Sequence, residues 1–316
     1  MGFYRLTMLG KRAFLVLWQE GPLELIRRVQ RKMRSGFFRG SCRQRLIVAR
    51  TRNVQHKIIG RPKVSIIILT KSYKLLRSCL DSIVSKTSYT NYEVIVVVNN
   101  TKRKENLQLK DRRLKYIYVA ESFNFSRLNN LAVRYSSGAY LLFLNDDTQV
   151  VNYDWLEALL EQAQRRKVGA VGCRLVYPDG LLQHGGIVIG TKEIASHIRY
   201  DTNFYTGDID VIRNCSAVTG ACLMIKKSLF QEIGMFDECF PFSCNDIDLC
   251  LRLQEKGYLI VYTPYATLIH CESKTRGYEN RSVGADEGKK LLLKKLGDLT
   301  VFNDPYYDTN LKVNRK

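Results

Sequence analysis

The chain has 316 residues, 45% of them hydrophobic, which allows one large domain or two small ones and excludes a disordered protein. Its formal net charge is +20, but residues 1–63 hold 16 basic and 2 acidic residues, so the basic excess belongs mainly to an N-terminal arm. Nine cysteines without a CxxC pair favour neither a zinc site nor a complete disulfide framework, and they are typical of a reducing compartment.

The N-terminal arm, residues 1–61, is predicted to form two short amphipathic helices that are broken at Gly21-Pro22. Apolar residues recur at helical spacing on both sides of the break, and residues 27–34 carry five arginines and lysines. The apolar run at residues 13–18 is too short for a transmembrane helix, and no small-residue cleavage site follows it. The arm therefore either lies on an anionic membrane surface or packs against the domain that follows.

Apolar runs alternate with helical patterns from Val64 onward. The predicted strands cover residues 64–69, 93–98, 114–119 and 139–144, and the predicted helices cover residues 75–83 and 126–136. This alternation predicts an α/β fold with a Rossmann-like, mostly parallel central sheet and flanking helices.

The fourth predicted strand ends in two adjacent carboxylates, Asp146 and Asp147. In an open parallel sheet, ligands bind in the crevice outside the carboxyl ends of the strands, so both acids are placed where chemistry is expected. Aspartate is also a common turn residue, and the pair can simply mark a loop. Two like charges side by side favour a positive partner, and the simplest is a hard divalent cation, Mg²⁺ or Mn²⁺, shared with phosphate oxygens. The chain has no GxxxxGKS/T sequence, which argues against a P-loop nucleotide site.

The second half is predicted to contain a strand and a helix that ends at Gly234, followed by a helix from Asn245 to Gly257 and a strand that ends at His270. His270 can face the same crevice as the acid pair, because it also closes a strand. A lone histidine more often has a structural role. A position close to a carboxylate pair favours a role for His270 as a ligand.

The helix after Asn245 carries two acids in its first turn. Asn245 is predicted to be the N-cap, and Asp246 and Asp248 suit the helix dipole. Asp248 can pair with Arg252 four residues on. Asp246 adjoins the preceding loop and is the better candidate for a general base.

Eight motifs, taken in order, make the chain resemble the inverting family-two glycosyltransferases of the GT-A fold. The resemblance covers nearly everything from Val64 to Leu311. Within the family, the chain is similar to the bacterial members that assemble cell-surface polysaccharides. The motifs are VSIIILTK, FNFSRLNNLAV, YLLFLNDDT, LVYPDGLLQHGGIVIG, VTGACLMI, NDIDLCLRL, GYLIVYTPYATLIHCES and NDPYYDTNL (303–311). Each motif is weak by itself, but all of them in the right order are a specific signal.

The resemblance implies transfer of a hexosyl or deoxyhexosyl group from a nucleotide-diphosphate sugar to a hydroxyl of a glycan or lipid-linked acceptor. Asp146 and Asp147 match the DxD-type element, whose last acid binds the metal that bridges the diphosphate. His270 is expected to help hold the metal or the diphosphate, and Asp246 matches the general base that takes the acceptor proton. The expected cofactor is Mg²⁺ or Mn²⁺.

Further contacts are implied by the same resemblance. Nucleotide-sugar contacts are expected from Thr70, Ser72, Asn99, Arg127, Asn130, Asn145 and Asp146. Acceptor contacts are expected from His184 and Asn245, although His184 can equally be a loop histidine without a role. The chain departs from the family at Ser72 and Asn99, where relatives often carry acids, and this puts donor specificity in doubt more than activity.

The predicted domains are the basic arm at residues 1–61 and a GT-A domain at residues 62–316. The GT-A domain divides into a nucleotide-sugar-binding half, 62–150, and an acceptor-side half with the C-terminal tail, 151–316. A cytoplasmic protein is expected, and docking of the arm on the inner face of the plasma membrane would bring the crevice to a lipid-linked acceptor. Two alternatives remain open: a non-catalytic glycan- or nucleotide-sugar-binding relative, and a basic nucleic-acid-binding protein, for which the chain lacks a recognisable motif.

Overall fold

The computed structural model describes residues 56–99, 111–190, 194–198, 208–271, 281–296 and 304–306. Both helices predicted for the arm lie outside the described residues, as does most of the tail motif. Within these ranges, none of the helices combines the length and the apolar character that a membrane crossing requires.

The described chain alternates strands and helices. The strands are β1 (Val64–Thr70), β2 (Tyr92–Val98), β3 (Leu114–Tyr118), β4 (Tyr140–Asn145), β5 (Thr148–Val150), β6 (Val168–Val176), β7 (Leu182–His184), β8 (Ile187–Ile189), β9 (Ala195–His197), β10 (Arg213–Asn214), β11 (Cys222–Lys226) and β12 (Leu259–His270). The helices are α1 (Tyr73–Ser85), α2 (Phe125–Arg134), α3 (Trp155–Ala163), α4 (Lys227–Glu232), α5 (Asn245–Glu255) and α6 (Arg281–Leu296), with a 3-10 turn at Asp208–Asp210.

The central sheet has the strand order β10-β12-β6-β11-β4-β1-β2-β3, while β5 pairs with β12, β7 pairs with β6, and β8 and β9 form a separate hairpin. β1, β2, β3, β4, β6 and β12 run in one direction, and β11 runs against its neighbours β4 and β6. The chain moves outward from β1 to β3 and then returns to β4 on the other side of β1. The boundary between β1 and β4 is therefore a topological switch point, where an open α/β sheet places its ligand.

Helices cover both faces of the sheet, which explains why its central strands β1, β2, β4 and β6 are buried along almost their whole length. In β1, Val64, Ile66 and Ile68 pack with α1 and α3 in one buried cluster. Ile67 lies on the other face, in the cluster that contains side chains of α2, α4, α5 and α6. The alternation follows from the two-residue period of a strand.

The predicted strands and helices of the first half are confirmed to within two residues. In the second half, α4 is followed by Gly234 at φ 88° and α5 by Gly257 at φ 81°, so both predicted glycine stops are confirmed. A left-handed residue at this place ends a helix at low cost only when it is glycine. The elements from β5 to β10, including α3 and the nine-residue β6, were not predicted. β5, β7, β8, β9 and β10 have only two or three residues each, and strands that short carry little periodicity.

The predicted N-cap of α5 is wrong. Cys244 precedes the helix at φ 63°, without a side-chain cap, and its carbonyl accepts the first helical hydrogen bond from Asp248. Asn245 is the first helical residue, and its Oδ1 accepts a 2.8 Å hydrogen bond from the backbone N–H of Asp246. The left-handed turn at Cys244 shifts the start of the helix by one residue, which residue preferences alone do not reveal.

Candidate functional site

The carboxyl ends of β1, β4 and β12 bring five predicted site residues together. Thr70 ends β1, and Asn145 ends β4 and is followed directly by Asp146 and Asp147 in the turn to β5. His270 ends β12, whose last residues pair with β5 immediately after the two acids. Both acids are buried, at 4% and 6% exposure, so their charges lie at the bottom of the switch-point crevice and not on an open loop.

Asp146 connects the two strands that flank the switch point. Its Oδ2 accepts a 2.6 Å hydrogen bond from the hydroxyl of Thr70, and the backbone N–H of Ser72 donates to that hydroxyl at 3.0 Å. Ser72 in turn is the N-cap of α1, where its Oγ accepts from the N–H of Leu75. Thr70 and Ser72 therefore hold the loop after β1 against the acid pair.

Asp147 and His270 form a close pair in which a buried carboxylate oxygen receives no hydrogen bond from the described residues. This oxygen is Asp147 Oδ1, and His270 Nε2 lies 3.1 Å from it. On the other side of the ring, Nδ1 lies 2.7 Å from Gln183 Oε1, while Gln183 Nε2 donates to the His270 carbonyl. Because an amide oxygen can only accept, Nδ1 carries a proton, and in a ring with this single proton the Nε2 lone pair faces Asp147.

Two facing lone pairs at this distance need a proton or a cation between them. Asn145 Nδ2 lies 3.4 Å from the same His270 nitrogen, which is too long for a strong hydrogen bond. Asp147 Oδ1 and His270 Nε2 thus fit two ligands of a metal ion. In the part of the chain that the structure describes, no cluster of three His, Cys, Asp or Glu side chains surrounds a metal position. A divalent cation held here would take its other ligands from elsewhere, as Mg²⁺ commonly does from water and substrate phosphates.

Asp246 is linked to the end of β4 through the two residues that precede β11. Its Oδ2 accepts a 2.8 Å hydrogen bond from the N–H of Gly220, and its Oδ1 accepts from the N–H of Ile247 at 2.9 Å. Ala221 follows Gly220, and its carbonyl accepts a 3.1 Å hydrogen bond from the N–H of Asn145. Two consecutive residues therefore connect the first turn of α5 with the end of β4. Asp246 remains partly exposed, as a base that meets a substrate must be.

Gln183 was missed by the sequence analysis, which selected the adjacent His184. His184 lies in β7 and not in a loop; it is fully buried, and its Nδ1 is 3.0 Å from Nδ1 of His197. Side chains alternate along a strand, so Gln183 faces His270 while His184 faces the β8–β9 hairpin. In the sequence, the adjacent polar residues Gln183 and His184 indicated that one of them could face the site. Only the pairing of β6 with β7 shows which of the two side chains reaches it.

The remaining predicted donor contacts lie in the half of the sheet beyond β1. Asn99 Nδ2 donates to the carbonyl of Glu121 at 2.8 Å, and Arg127 forms an ion pair with the Glu121 carboxylate. The Arg127 side chain is 57% exposed and can reach a ligand. Asn130 is different: its amide donates to the carbonyl of Phe236 and accepts from the Phe236 N–H, so it ties α2 to the loop before α5.

Comparisons with known proteins identify the family and the fold. The model of the family described as glycosyl transferase family 2 matches residues 65–234, more than half of the chain. Protein y4gI of Sinorhizobium fredii is 38% identical over 81% of the chain, and the O-antigen biosynthesis protein RfbC of Myxococcus xanthus is 40% identical over 71%. The chain spans only 30% and 18% of the lengths of these two relatives. An N-acetylglucosaminyl-diphospho-decaprenol L-rhamnosyltransferase of Mycobacterium tuberculosis is 27% identical over 40% of the chain and 45% of its own length.

Two solved structures share the fold. GalNAc-T7, solved with UDP, GalNAc and Mn²⁺, superposes with a TM-score of 0.60 at 12% identity over 78% of this chain and 52% of its own. The mannosyltransferase PcManGT of Pyrobaculum calidifontis, solved with GDP-Man and Mn²⁺, gives 0.53 at 18% identity over 86% and 69%. Both are GT-A glycosyltransferases, and the likeness confirms the predicted GT-A fold. With this fold and a family match over more than half of its length, the chain belongs to glycosyl transferase family 2.

Proposed function

We propose that the chain is a metal-dependent, inverting glycosyltransferase that moves a sugar from a nucleotide-diphosphate sugar to a hydroxyl of a glycan or lipid-linked acceptor. The observation that carries this proposal is the unsatisfied Asp147–His270 pair, which is linked through Gly220 and Ala221 to Asp246. A site for a cation and a partly exposed carboxylate on one crevice are the two chemical functions that a single-displacement sugar transfer requires.

Asp147 and His270 would hold the cation, Mg²⁺ or Mn²⁺. When bound, it would supply charge neutralisation for the diphosphate that leaves. Gln183 fixes the tautomer of His270 so that Nε2, the nitrogen nearer Asp147, is the one free to bind. Asp146, also expected as a metal ligand, would act by holding the loop after β1 through Thr70.

Asp246 would be the general base. Each of its oxygens accepts one backbone hydrogen bond and retains lone-pair capacity for an acceptor hydroxyl. As the acceptor oxygen bonds to the anomeric carbon, its proton passes to Asp246, and the bond from that carbon to the diphosphate oxygen breaks. One displacement inverts the configuration, and no enzyme nucleophile is needed. Base catalysis of this type contributes about 10²–10⁴-fold.

The donor side would be formed by Asn99, Arg127 and Asn145. Arg127 offers an exposed guanidinium, a group suited to phosphate or sugar hydroxyl oxygens, and Asn99 replaces an acid with an amide that already binds Glu121. The Mycobacterium tuberculosis relative is named for a rhamnosyl donor and a diphospho-decaprenol acceptor, which supports a deoxyhexosyl donor and a lipid-linked acceptor here. The likeness to RfbC supports a role in cell-surface polysaccharide synthesis.

The predicted domains complete this proposal. Residues 62–150 would bind the nucleotide sugar, and residues 151–316 would bind the acceptor, with His184 and Asn245 contributing through the shape of the site, since both are buried. The arm, residues 1–61, would dock on an anionic membrane at the inner face of the plasma membrane, and nucleic acid is not expected as a partner.

The test is turnover and binding with a panel of nucleotide-diphosphate sugars. Thermal unfolding and donor hydrolysis are measured with Mn²⁺, with Mg²⁺ and with a chelator, and the anomeric configuration of any product is determined by NMR. We expect metal-dependent stabilisation and metal-dependent turnover with inversion. Stabilisation without any turnover identifies a non-catalytic relative, and turnover that survives the chelator overturns the metal assignment.

A further inference from the structure

The edge of the sheet opposite the crevice is strongly basic. Basic residues precede the parallel strands β1, β3, β6 and β12, and Lys226 ends the antiparallel β11 at the same edge. The exposed members that lie on the β1, β6 and β12 side are Lys57, Arg61, Arg166, Lys167 and Lys256, which we call the basic edge. Glu255 is an exposed acid beside them. The site acids Asp146, Asp147 and Asp246 lie at the other edge, so the domain is electrostatically polarised along its strands.

Side-chain to backbone hydrogen bonds assemble the basic edge. Residues 56–63 run along it, where Gln164 donates to the Lys57 carbonyl at 2.8 Å and accepts from the Ile59 N–H at 3.0 Å. Arg166 and Lys167 follow Gln164 directly, and the Lys167 carbonyl accepts from the N–H of Leu259 at the start of β12. These hydrogen bonds therefore hold the three chain segments that carry the cations next to one another.

Ile59 stands out within this edge. Its side chain is 80% exposed, although it lies between the exposed cations Lys57 and Arg61. Tyr153, 63% exposed, belongs to the same side of the domain, because its carbonyl accepts from Ser88 in the segment that leads into β2. Apolar side chains that project among basic residues are typical of surfaces that rest on anionic lipid headgroups.

The basic arm enters the domain at this edge. Residues 1–55 carry 13 basic and 2 acidic residues, and the chain continues from them into His56, whose N–H donates to Glu161 at 3.1 Å. Whatever anionic partner the arm binds is therefore brought to the basic edge. An anionic membrane accounts for both the cations and the projecting isoleucine, whereas a nucleic acid accounts for the cations alone.

We propose that the basic edge, together with Ile59, docks the domain on an anionic membrane with the crevice facing away from it. The proposal adds a surface of the folded domain to the docking that is proposed for the arm. Its consequence for the acceptor rests on the proposed function. β1 has seven residues, which at ~3.3 Å each separate the two edges by roughly 20 Å. The acceptor hydroxyl must extend at least that far from the lipid surface. The enzyme would thus elongate an acceptor glycan that already contains several sugars, and would not act on a sugar next to the membrane.

Binding of the full-length protein to lipid vesicles tests this without any donor or turnover. Binding to phosphatidylcholine vesicles is measured with and without phosphatidylglycerol. Two variants are compared with the unmodified protein: the edge variant, which combines Arg166→Glu and Lys167→Glu, and the single variant Ile59→Ser. The matched control is Lys290→Glu with Lys294→Glu on α6, which changes the net charge equally at exposed positions away from the edge. We expect the edge variant to weaken binding to anionic vesicles by at least about tenfold, since each basic residue near such a surface contributes roughly fivefold.

Ile59→Ser should weaken vesicle binding without a change in charge, and the control should bind as the unmodified protein does. Hydrogen exchange with vesicles present should be slowed at residues 56–61 and 165–167, and unchanged in the crevice-side turn at residues 177–181. Equal losses in the edge and control variants would show a mere effect of net charge. Such equal losses would overturn the proposal. So would protection of the 177–181 turn instead of the edge, or tighter binding to nucleic acid than to anionic vesicles.

Discussion

The Nε2 atom of His270 lies 3.1 Å from the Oδ1 atom of Asp147 at the carboxyl edge of the sheet. The other ring nitrogen lies 2.7 Å from Oε1 of Gln183, a group that can only accept. The orientation and the tautomer of His270 are thus set by a residue of β7. This relationship makes Gln183 a positioning residue for the proposed metal site.

Gln183→Met should lower the affinity for Mn²⁺ by about 10–100-fold, because the loss of the acceptor at Nδ1 lets His270 rotate or change tautomer. Mn²⁺ binding is measured by titration in the presence of a nucleoside diphosphate. Gln183→Glu keeps an acceptor at the same place and should retain most of the affinity. Equal Mn²⁺ affinity in Gln183→Met and the unmodified protein would show that Gln183 only fills the core.

Asp147→Ala should abolish sugar transfer and remove the Mn²⁺-dependent stabilisation by a nucleoside diphosphate, because the cation links the protein to the diphosphate. The rise in Tm on adding both ligands is the measurement. Asp179→Ala is the control, since that aspartate is exposed in the turn after β6 and contacts the N–H of Leu181. Activity of Asp147→Ala that persists in chelator would refute the assignment.

Asp246→Asn should reduce turnover by at least about 10²-fold while donor affinity is retained, because the amide keeps the size of the side chain but cannot take a proton. Turnover at saturating donor and the donor Kd are measured separately. Collapse of donor affinity with unchanged turnover would mean that Asp246 serves only to hold Gly220.

Asp248→Asn is the matched control on the same helix. Asp248 is 3% exposed and forms ion pairs with Arg252 and Lys295 at 2.8 Å each, which confirms the predicted pairing with Arg252. Its loss should destabilise the protein by about 1–3 kcal/mol, since the buried carboxylate that accepts hydrogen bonds from Arg252 and Lys295 is replaced by a neutral amide. Turnover per folded molecule should stay within a few-fold of the unmodified enzyme, in contrast to Asp246→Asn.

Glu93 on β2 is predicted to stabilise the fold in a pH-dependent way. Burial alone would raise its pKa, but hydrogen bonds from Lys115, Ser137 and Ser65 outweigh burial and hold the pKa well below its ordinary value of 4.5. A pKa that is lower in the folded than in the unfolded state gives stability that is complete above pH 4.5 and is lost as the pH falls toward the folded-state pKa.

Glu93→Gln should therefore cost about 2–3 kcal/mol at pH 7, and the difference from the unmodified protein should shrink below about pH 4.5. Urea unfolding across this range measures it. Glu255→Gln, at an exposed position, should change little at any pH. A difference that stays constant from pH 7 to pH 3 would show that the charge of Glu93 does not contribute.

The order and type of the main elements could be predicted because their signals are local. Five continuous apolar residues in β2, Val94–Val98, require a strand that is buried on both faces, and Gly234 and Gly257 can adopt the left-handed conformation that ends a helix. The ends of β4 and β12, with Asp147 and His270, follow from the same patterns. These features depend on residues that are close together in the chain.

Contacts between distant segments were decided by the tertiary structure alone. Gln183 reaches His270 only because β7 pairs with β6, and Asp246 is held by Gly220 only because β11 lies beside β4. The basic edge likewise forms from segments that are separated in sequence and meet where parallel strands begin. No local period encodes which strands become neighbours, since that choice minimises the free energy of the whole core, and so the partners of each site residue could be learned only from the fold.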